Sequence, residues 1–170
     1  MNKQRGFSLI ELLIVVAIIL IIAAIAIPNL LRSKLAANES SAVASVRTIT
    51  TAETTYASSW GSGYATILDN LGGGIPCSIA TAAAACIVES GLSTAPYTKS
   101  GYVFAAVGNT LVGAVNNGFE VNATPVAVDV SGKRAFCADQ TGVLRSNTTG
   151  VPIGTAAGTC TTVATLIIGN

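Results

Sequence analysis

Polar and apolar positions divide the chain into three regimes. From Phe7 to Leu31 the sequence is almost continuously apolar, and between Leu12 and Ile27 no polar side chain occurs. Such a run meets the length of about 20 residues that a membrane-spanning helix needs. Seventeen of its 25 residues are Leu, Ile, Val or Phe, which on insertion scales supplies on the order of 5 to 10 kcal/mol. After Arg32 the pattern becomes a stripe: Leu35, Ala42, Val46, Ile49, Tyr56 and Trp60 recur largely at spacings of three, four or seven, between polar residues such as Asn38, Glu39, Ser45 and Thr54. That is one face of an amphipathic helix, and Gly61 and Gly63 end it. A single helix from Phe7 to about Ser59 would be about 80 Å long. Pro28 lies inside it and is expected to kink or weaken it, because it removes one backbone hydrogen bond and crowds the preceding turn.

The third regime is strand-like. Residues Gly61 to Lys99, rich in Gly, Ala, Ser and Thr, with GGG at Gly72–Gly74 and AAAA at Ala82–Ala85, read as a connecting loop that holds at most one short helix. No Lys follows the triple glycine at phosphate-loop spacing, so it implies no nucleotide. Four runs then read as strands: Tyr102 to Val107, Phe119 to Val128, Arg134 to Ala138 and Val143 to Arg145. Turn residues separate them, including Gly108, Asn116 to Gly118, Ser131, Gly132 and Asp139 to Gly142. The expected architecture is α+β, a long N-terminal helix whose amphipathic half packs on a small four-stranded antiparallel sheet.

One residue breaks the apolar run, Glu11. A charge at a helix centre costs about 2.5 to 3.5 kcal/mol, and one near the end costs less, so Glu11 weakens insertion without preventing it. The apolar core is longer than a secretory signal's 7 to 15 residues and is followed by Pro28, Asn29, Leu30, Leu31 and Arg32 rather than by a small-residue cleavage site. Cutting is expected instead after the short polar leader MNKQRG, at Gly6.

The stretch Arg5, Gly6, Phe7, Ser8, Leu9, Ile10, Glu11, followed by a long apolar helix with Pro28, resembles the class III leader and N-terminal helix of type IV pilins. The motif covers about the first 32 residues, and beyond it the likeness is one of layout. The resemblance implies a leader over 1–6, an assembly helix over 7–31, and a head over 32–170 made of the amphipathic helix half (32–60), an αβ loop (61–99) and a sheet with a C-terminal disulfide region (100–170). It further implies that a prepilin peptidase cuts between Gly6 and Phe7 and methylates the new amino group. Phe7, Glu11 and Pro28 would then serve assembly, Glu11 pairing with the N-terminal amine of a neighbouring subunit. Physically this answers the carboxylate's placement, since a charge in an apolar setting needs a partner and cleavage creates an amine at the same depth. The partners implied are other copies of the chain in a helical polymer, the bacterial inner membrane, the peptidase, an assembly ATPase with its platform protein, and minor pilins. The precursor would sit in the inner membrane and the product in an extracellular pilus, serving adhesion, twitching motility or DNA uptake. A pseudopilin of a type II secretion system, or a minor pilin, would carry the same leader.

Composition narrows the rest. Only 10% of residues are charged and the net charge is +1, so no basic footprint for nucleic acid is visible. Lys3 and Arg5 before the span and Arg32 and Lys34 after it leave the positive-inside count nearly balanced. The cysteines speak more clearly: Cys77, Cys86, Cys137 and Cys160 are even in number and all follow the span, as in a domain exposed to an oxidising compartment. Three pairings can be drawn, and the sequence-local one, Cys77 with Cys86 and Cys137 with Cys160, is expected. By resemblance Cys137 and Cys160 best match the C-terminal pilin disulfide, and Cys77 with Cys86 in the loop departs from that layout. With no histidine and no C-x-x-C pair, zinc is not expected. Catalysis is not expected either, since the commonest general base is absent and Glu39, Glu53, Asp69, Glu89, Glu120, Asp129 and Asp139 are scattered. Asp129 and Asp139 lie beside glycine-containing turns, where turn chemistry explains them better than calcium. No cofactor is implied. Asn122-Ala-Thr and Asn147-Thr-Thr fit a weak N-glycosylation pattern.

Overall fold

The structure, a computed structural model, describes residues 7–73, 76–164 and 166–168. The chain divides into two units, Met1–Lys34 and Leu35–Asn170. Helix α1, Leu9–Trp60, contributes to both, and its assignment runs through Pro28 without a break. At its end the Gly61 N–H donates to Ala57 O at 3.1 Å with φ +64°. This left-handed cap suits a residue without Cβ, so the helix stops where the glycines were expected to stop it.

In the first unit the described residues are α1 and its entry, and they bury almost nothing: from Phe7 to Lys34 all are exposed except a half-buried Ala23. In the second unit the stripe on α1 becomes a core. Ala42, Val46 and Ile49 are 0% exposed, and Ala52 and Tyr56 are nearly so. Leu35 and Trp60, at the two ends of the stripe, are only half-buried.

The sheet has six antiparallel strands in sequence order: β1 Thr98–Lys99, β2 Tyr102–Val112, β3 Val115–Pro125, β4 Ala135–Asp139, β5 Arg145–Asn147 and β6 Leu166–Ile167. This corrects the expected four. The two edge strands are two residues each, too short to show any alternation. The expected ends at Val107 and Phe119 are corrected as well, because β2 and β3 form one hairpin, with register running from Tyr102↔Pro125 to Val112↔Val115. Gly108 and Gly118, taken as turn residues, are instead points of close approach. A Cβ on Gly108 would run into the Ala65 carbonyl, and one on Gly118 would lie 2.6 Å from Asn109 Oδ1. The turn itself is Gly113-Ala114, with Gly113 at φ +65°, the first central position that a tight primed turn reserves for glycine. β3 stops at Pro125 rather than Val128, while β4 and β5 sit one and two residues later than expected.

Phe104, Ala106, Phe119, Val121, Ala123, Phe136 and Ala138 share one core cluster with the α1 stripe. The 61–99 segment adds to it. A 3₁₀ turn at Leu68–Leu71 and the short α2, Ser90–Ser93, bury Leu68, Leu71 and Leu92, and Leu71 O accepts the N–H groups of both Ile87 and Val88. The segment is therefore part of the packed head and not merely a connection. Each such side chain, fully buried, contributes about 1.5 to 3 kcal/mol.

The opposite face of the sheet is covered too. Ala135 and Cys137 on β4 form a second cluster with Ile153, Cys160 and Ala164 of the tail, which includes α3, Thr159–Val163. Three ties hold the tail there: the Cys137–Cys160 disulfide, Asn122 Nδ2 donating to Ile153 O at 2.6 Å, and Glu120. The Glu120 carboxylate accepts the N–H groups of Gly158 at 2.7 Å and Cys160 at 3.1 Å. The central sheet is thus sandwiched between helix and tail. The other disulfide joins Cys77 to Cys86 across the loop.

Candidate functional site

The N-terminal segment gathers the residues that the sequence singled out. Gly6, the residue before the expected cut, lies outside the described residues, as do Lys3 and Arg5 of the leader. Phe7 is 79% exposed. Glu11 stands in the first turn of α1, where its Oε2 accepts the Ser8 N–H at 3.0 Å. Ser8 precedes the helix and Glu11 is three residues on, so the pair forms one half of a capping box, with the carboxylate also placed at the positive end of the helix. This local role was missed in the sequence, although the S-x-x-E spacing of Ser8-Leu9-Ile10-Glu11 carries it. A carboxylate has spare acceptor capacity after taking one N–H, so capping leaves room for a cation from outside.

Phe7 precedes the helix by two residues and Glu11 lies in its first turn, whereas Pro28 lies seventeen positions after Glu11. The four cysteines are all in the second unit and lie apart from this segment in sequence. Helix α1 holds a window long and apolar enough to cross a membrane, and none of that window is buried within the fold. Leu20, Ile21 and Ile25 are 63, 64 and 66% exposed. An apolar surface this continuous marks an interaction surface rather than a soluble exterior.

The head holds three carboxylates whose settings the scattered sequence did not reveal. Glu39 accepts the Arg134 guanidinium at 2.8 and 2.9 Å and the backbone N–H groups of Lys133 and Arg134 at 3.0 and 3.1 Å. Burial would push its carboxyl up, but the Arg134 guanidinium and the two N–H groups outweigh that and hold it below the usual range. Glu53 is wholly buried, with Oε2 accepting the Ala65 N–H at 2.8 Å and Oε1 unpartnered. Burial raises its carboxyl to about 7, against a smaller opposing effect of the Ala65 N–H. Its place four residues after Ile49 and three before Tyr56 puts it in the apolar stripe, a signal the periodicity did contain. For Glu120 burial again pushes the carboxyl up, the Gly158 and Cys160 N–H groups partly oppose this, and the Asp139 carboxylate opposite it on β4 adds to the rise.

These groups lock elements together and converge on no open site. Asp139 accepts the N–H and hydroxyl of Thr141 in its turn, and Asp129 is exposed at φ +62°. Among the described residues no cluster of three or more metal-ligating side chains occurs. Of the two glycosylation-like asparagines, Asn122 is 7% exposed and engaged with Ile153, so its side chain is closed to modification in the fold.

Comparison with known proteins agrees with the N-terminal geometry. Residues 1–27 match the prokaryotic N-terminal methylation motif. The chain is similar to the type IV major pilin protein PilA of Myxococcus xanthus, 46% identical over 54 residues, which cover 32% of this chain and 24% of that one. It is also similar to the type IV wide pilus major component PilA4 of Thermus thermophilus, 59% identical over 39 residues, covering 23% of this chain and 30% of that one. The chain thus spans less than a third of the length of these curated relatives. No solved structure matches. Together these likenesses support a type IV pilin with a class III leader.

Proposed function

We propose that the chain is the structural subunit of a type IV pilus, held in the membrane as a precursor by its N-terminal helix and then polymerised through that helix. The carrying observation is the exposed apolar surface of the N-terminal half of α1, interrupted by a single carboxylate near its start. Water does not tolerate such a surface, but both a bilayer and a bundle of like helices do. The methylation motif and the names of the two relatives, both pilus components, favour this reading over a secretion pseudopilin.

In this reading a prepilin peptidase cuts between Gly6 and Phe7 and methylates the Phe7 amine, which stays cationic. Glu11 caps its own helix through Ser8 and offers its remaining acceptor positions to the amine of an adjacent subunit. In a low-dielectric filament core, an unmatched carboxylate is costly and a matched one is not. The pairing therefore rewards a cleaved subunit in correct register and penalises an uncleaved one. Transfer from lipid to filament core exchanges one apolar setting for another and has a modest driving force. Extraction past the headgroups accordingly calls for an assembly ATPase and a platform protein, and minor pilins would join the polymer. Pro28, lacking a backbone donor, is the weak point where the helix can yield during packing.

Two variants test this. Glu11→Ala should still be cleaved and inserted in the membrane but should give no filaments in a shear preparation; normal filament yield would refute the docking role. Gly6→Val should accumulate as the full-length precursor, and efficient processing of it would refute the assigned cut.

A further inference from the structure

The loop between β3 and β4 displays valines outward in a rigid frame. Val126, Val128 and Val130 are 61, 45 and 72% exposed, and Val151, which follows Gly150, is 54% exposed. Gly150 packs so closely on Val128 that a Cβ there would lie 2.9 Å from its side chain, so Val151 borders the same patch. The frame around these side chains is fixed. Val126 N–H donates to Gly101 O, Asp129 N–H to Gly132 O, and those of Val130 and Ser131 to Ala127 O. The Ala127 N–H donates to Ser131 Oγ, and those of Lys133 and Arg134 are taken by Glu39. Gly132 lies against the buried ring of Tyr102, leaving no room for a side chain.

A loop whose backbone N–H groups are this fully partnered within the head, and with its apolar side chains outward, is suited to a setting poor in water. Its position along the chain says which one. Asn38 Nδ2 donates to Ser131 O at 2.8 Å, and Glu39 holds the far side of the loop. Asn38 is seven residues past Leu31, the last residue of the apolar run, so the covalent chain alone keeps the two within about 25 Å. The loop's own Lys133 is exposed, as is the carboxylate of Asp129, and Arg32 and Lys34, the first cations after the apolar run in sequence, are exposed as well. The charge of Glu39 is matched by Arg134.

We propose that the loop of residues 126–133 docks on the surface of the membrane that the chain's own apolar helix enters, seating its valines in the headgroup zone with Lys133 at the phosphates. This rests on the reading of Leu12–Ile27 as a span. Before assembly the head would then be held down on the bilayer by a second contact besides the helix, and entering a filament would require that contact to break. Seating is shallow, about 5 to 10 Å into the headgroup boundary, as for other interfacial elements.

The test uses the full chain in vesicles of phosphatidylethanolamine and phosphatidylglycerol, with ordinary or acyl-brominated lipid. Single tryptophans are added as Ile19→Trp in the span, Val126→Trp and Val130→Trp in the loop, and Ile79→Trp on a different exposed loop of the head. The signal of the native Trp60 is measured on the unsubstituted chain and subtracted. Bromination should quench Ile19→Trp strongly and reduce the emission of both loop variants roughly twofold, while Ile79→Trp stays unquenched. If the loop variants behave like Ile79→Trp while Ile19→Trp is quenched, this inference alone is overturned. A blue shift of the loop variants that grows with the protein-to-lipid ratio, without quenching, would assign the patch to a second copy of the chain and also overturn it. An unquenched Ile19→Trp would overturn the span and the inference together.

Discussion

The two halves of α1 are built from one continuous helix yet meet opposite fates. In the N-terminal half every residue from Leu12 to Ile27 except Ala23 is exposed. In the C-terminal half the stripe from Ala42 to Tyr56 is at most 5% exposed. The head covers both faces of its sheet from within the chain. The N-terminal half has no such cover among the described residues, and a chain that leaves this much apolar surface unsatisfied needs a partner to complete it. Stability of the head thus rests on one half of the helix, and the proposed assembly role falls to the other.

The sharpest break in that division compares two apolar truncations. Phe136→Ala removes a ring that is 0% exposed in the core and should cost the head about 3 to 5 kcal/mol. Ile19→Ala, on a residue 57% exposed, should leave the head's unfolding in denaturant unchanged. A large effect of Ile19→Ala on the head would mean that the N-terminal half is not independent of it.

The next effect concerns the tail. Replacing Cys137 and Cys160 together by Ala opens a link of sequence separation 23, and on the chain-entropy account this should cost about 3.5 kcal/mol. Opening Cys77–Cys86, with a separation of 9, should cost about 2.5 kcal/mol. Equilibrium unfolding of both double variants checks the order, and the larger loss should come with release of the tail from Glu120 and Asn122.

A further effect is set by pH. The raised carboxyl of Glu53, at about 7 against an ordinary 4.5, binds its proton more tightly in the folded head than in the unfolded chain. Its stabilising contribution is complete below the ordinary carboxylate range and is lost as pH rises through 4.5 to about 7, a loss of at most about 3 kcal/mol. Glu120 shifts in the same direction. Glu39 is depressed, so its contribution is present above the ordinary carboxylate range and fades as pH falls. Glu53→Gln should flatten most of the decline between about pH 5 and pH 8, read from urea unfolding at each pH.

The long apolar helix of the N-terminal half was legible in the sequence, although the Ser8–Glu11 cap was missed, because an apolar run with one carboxylate has few physical readings. The stripe of the second half was equally plain, since burial on one helix face imposes its own spacing. The sheet was harder. Gly108 and Gly118 looked like turns because close backbone approach and turn formation select the same residue, and strands as short as Thr98–Lys99 leave no pattern. The second covered face escaped for a different reason. Glu120, Asn122, Cys137 and Asp139 alternate with Phe119, Val121, Phe136 and Ala138 as polar and apolar positions do on a half-solvated strand. Only the tail, brought there by the Cys137–Cys160 link and by N–H groups over thirty residues distant, turns that polar face into an interior one.

The central claim is that the exposed half of α1 is completed by other copies of the chain after cleavage at Gly6. Shearing surface filaments from the producing cells and taking the intact mass of their main protein tests it most directly. The account predicts the mass of Phe7 to Asn170 plus one methyl group and minus four hydrogens, for an N-methylated chain with two disulfides. A filament protein that retains residues 1–6, or a processed chain found only in the membrane and never in sheared filaments, would contradict it.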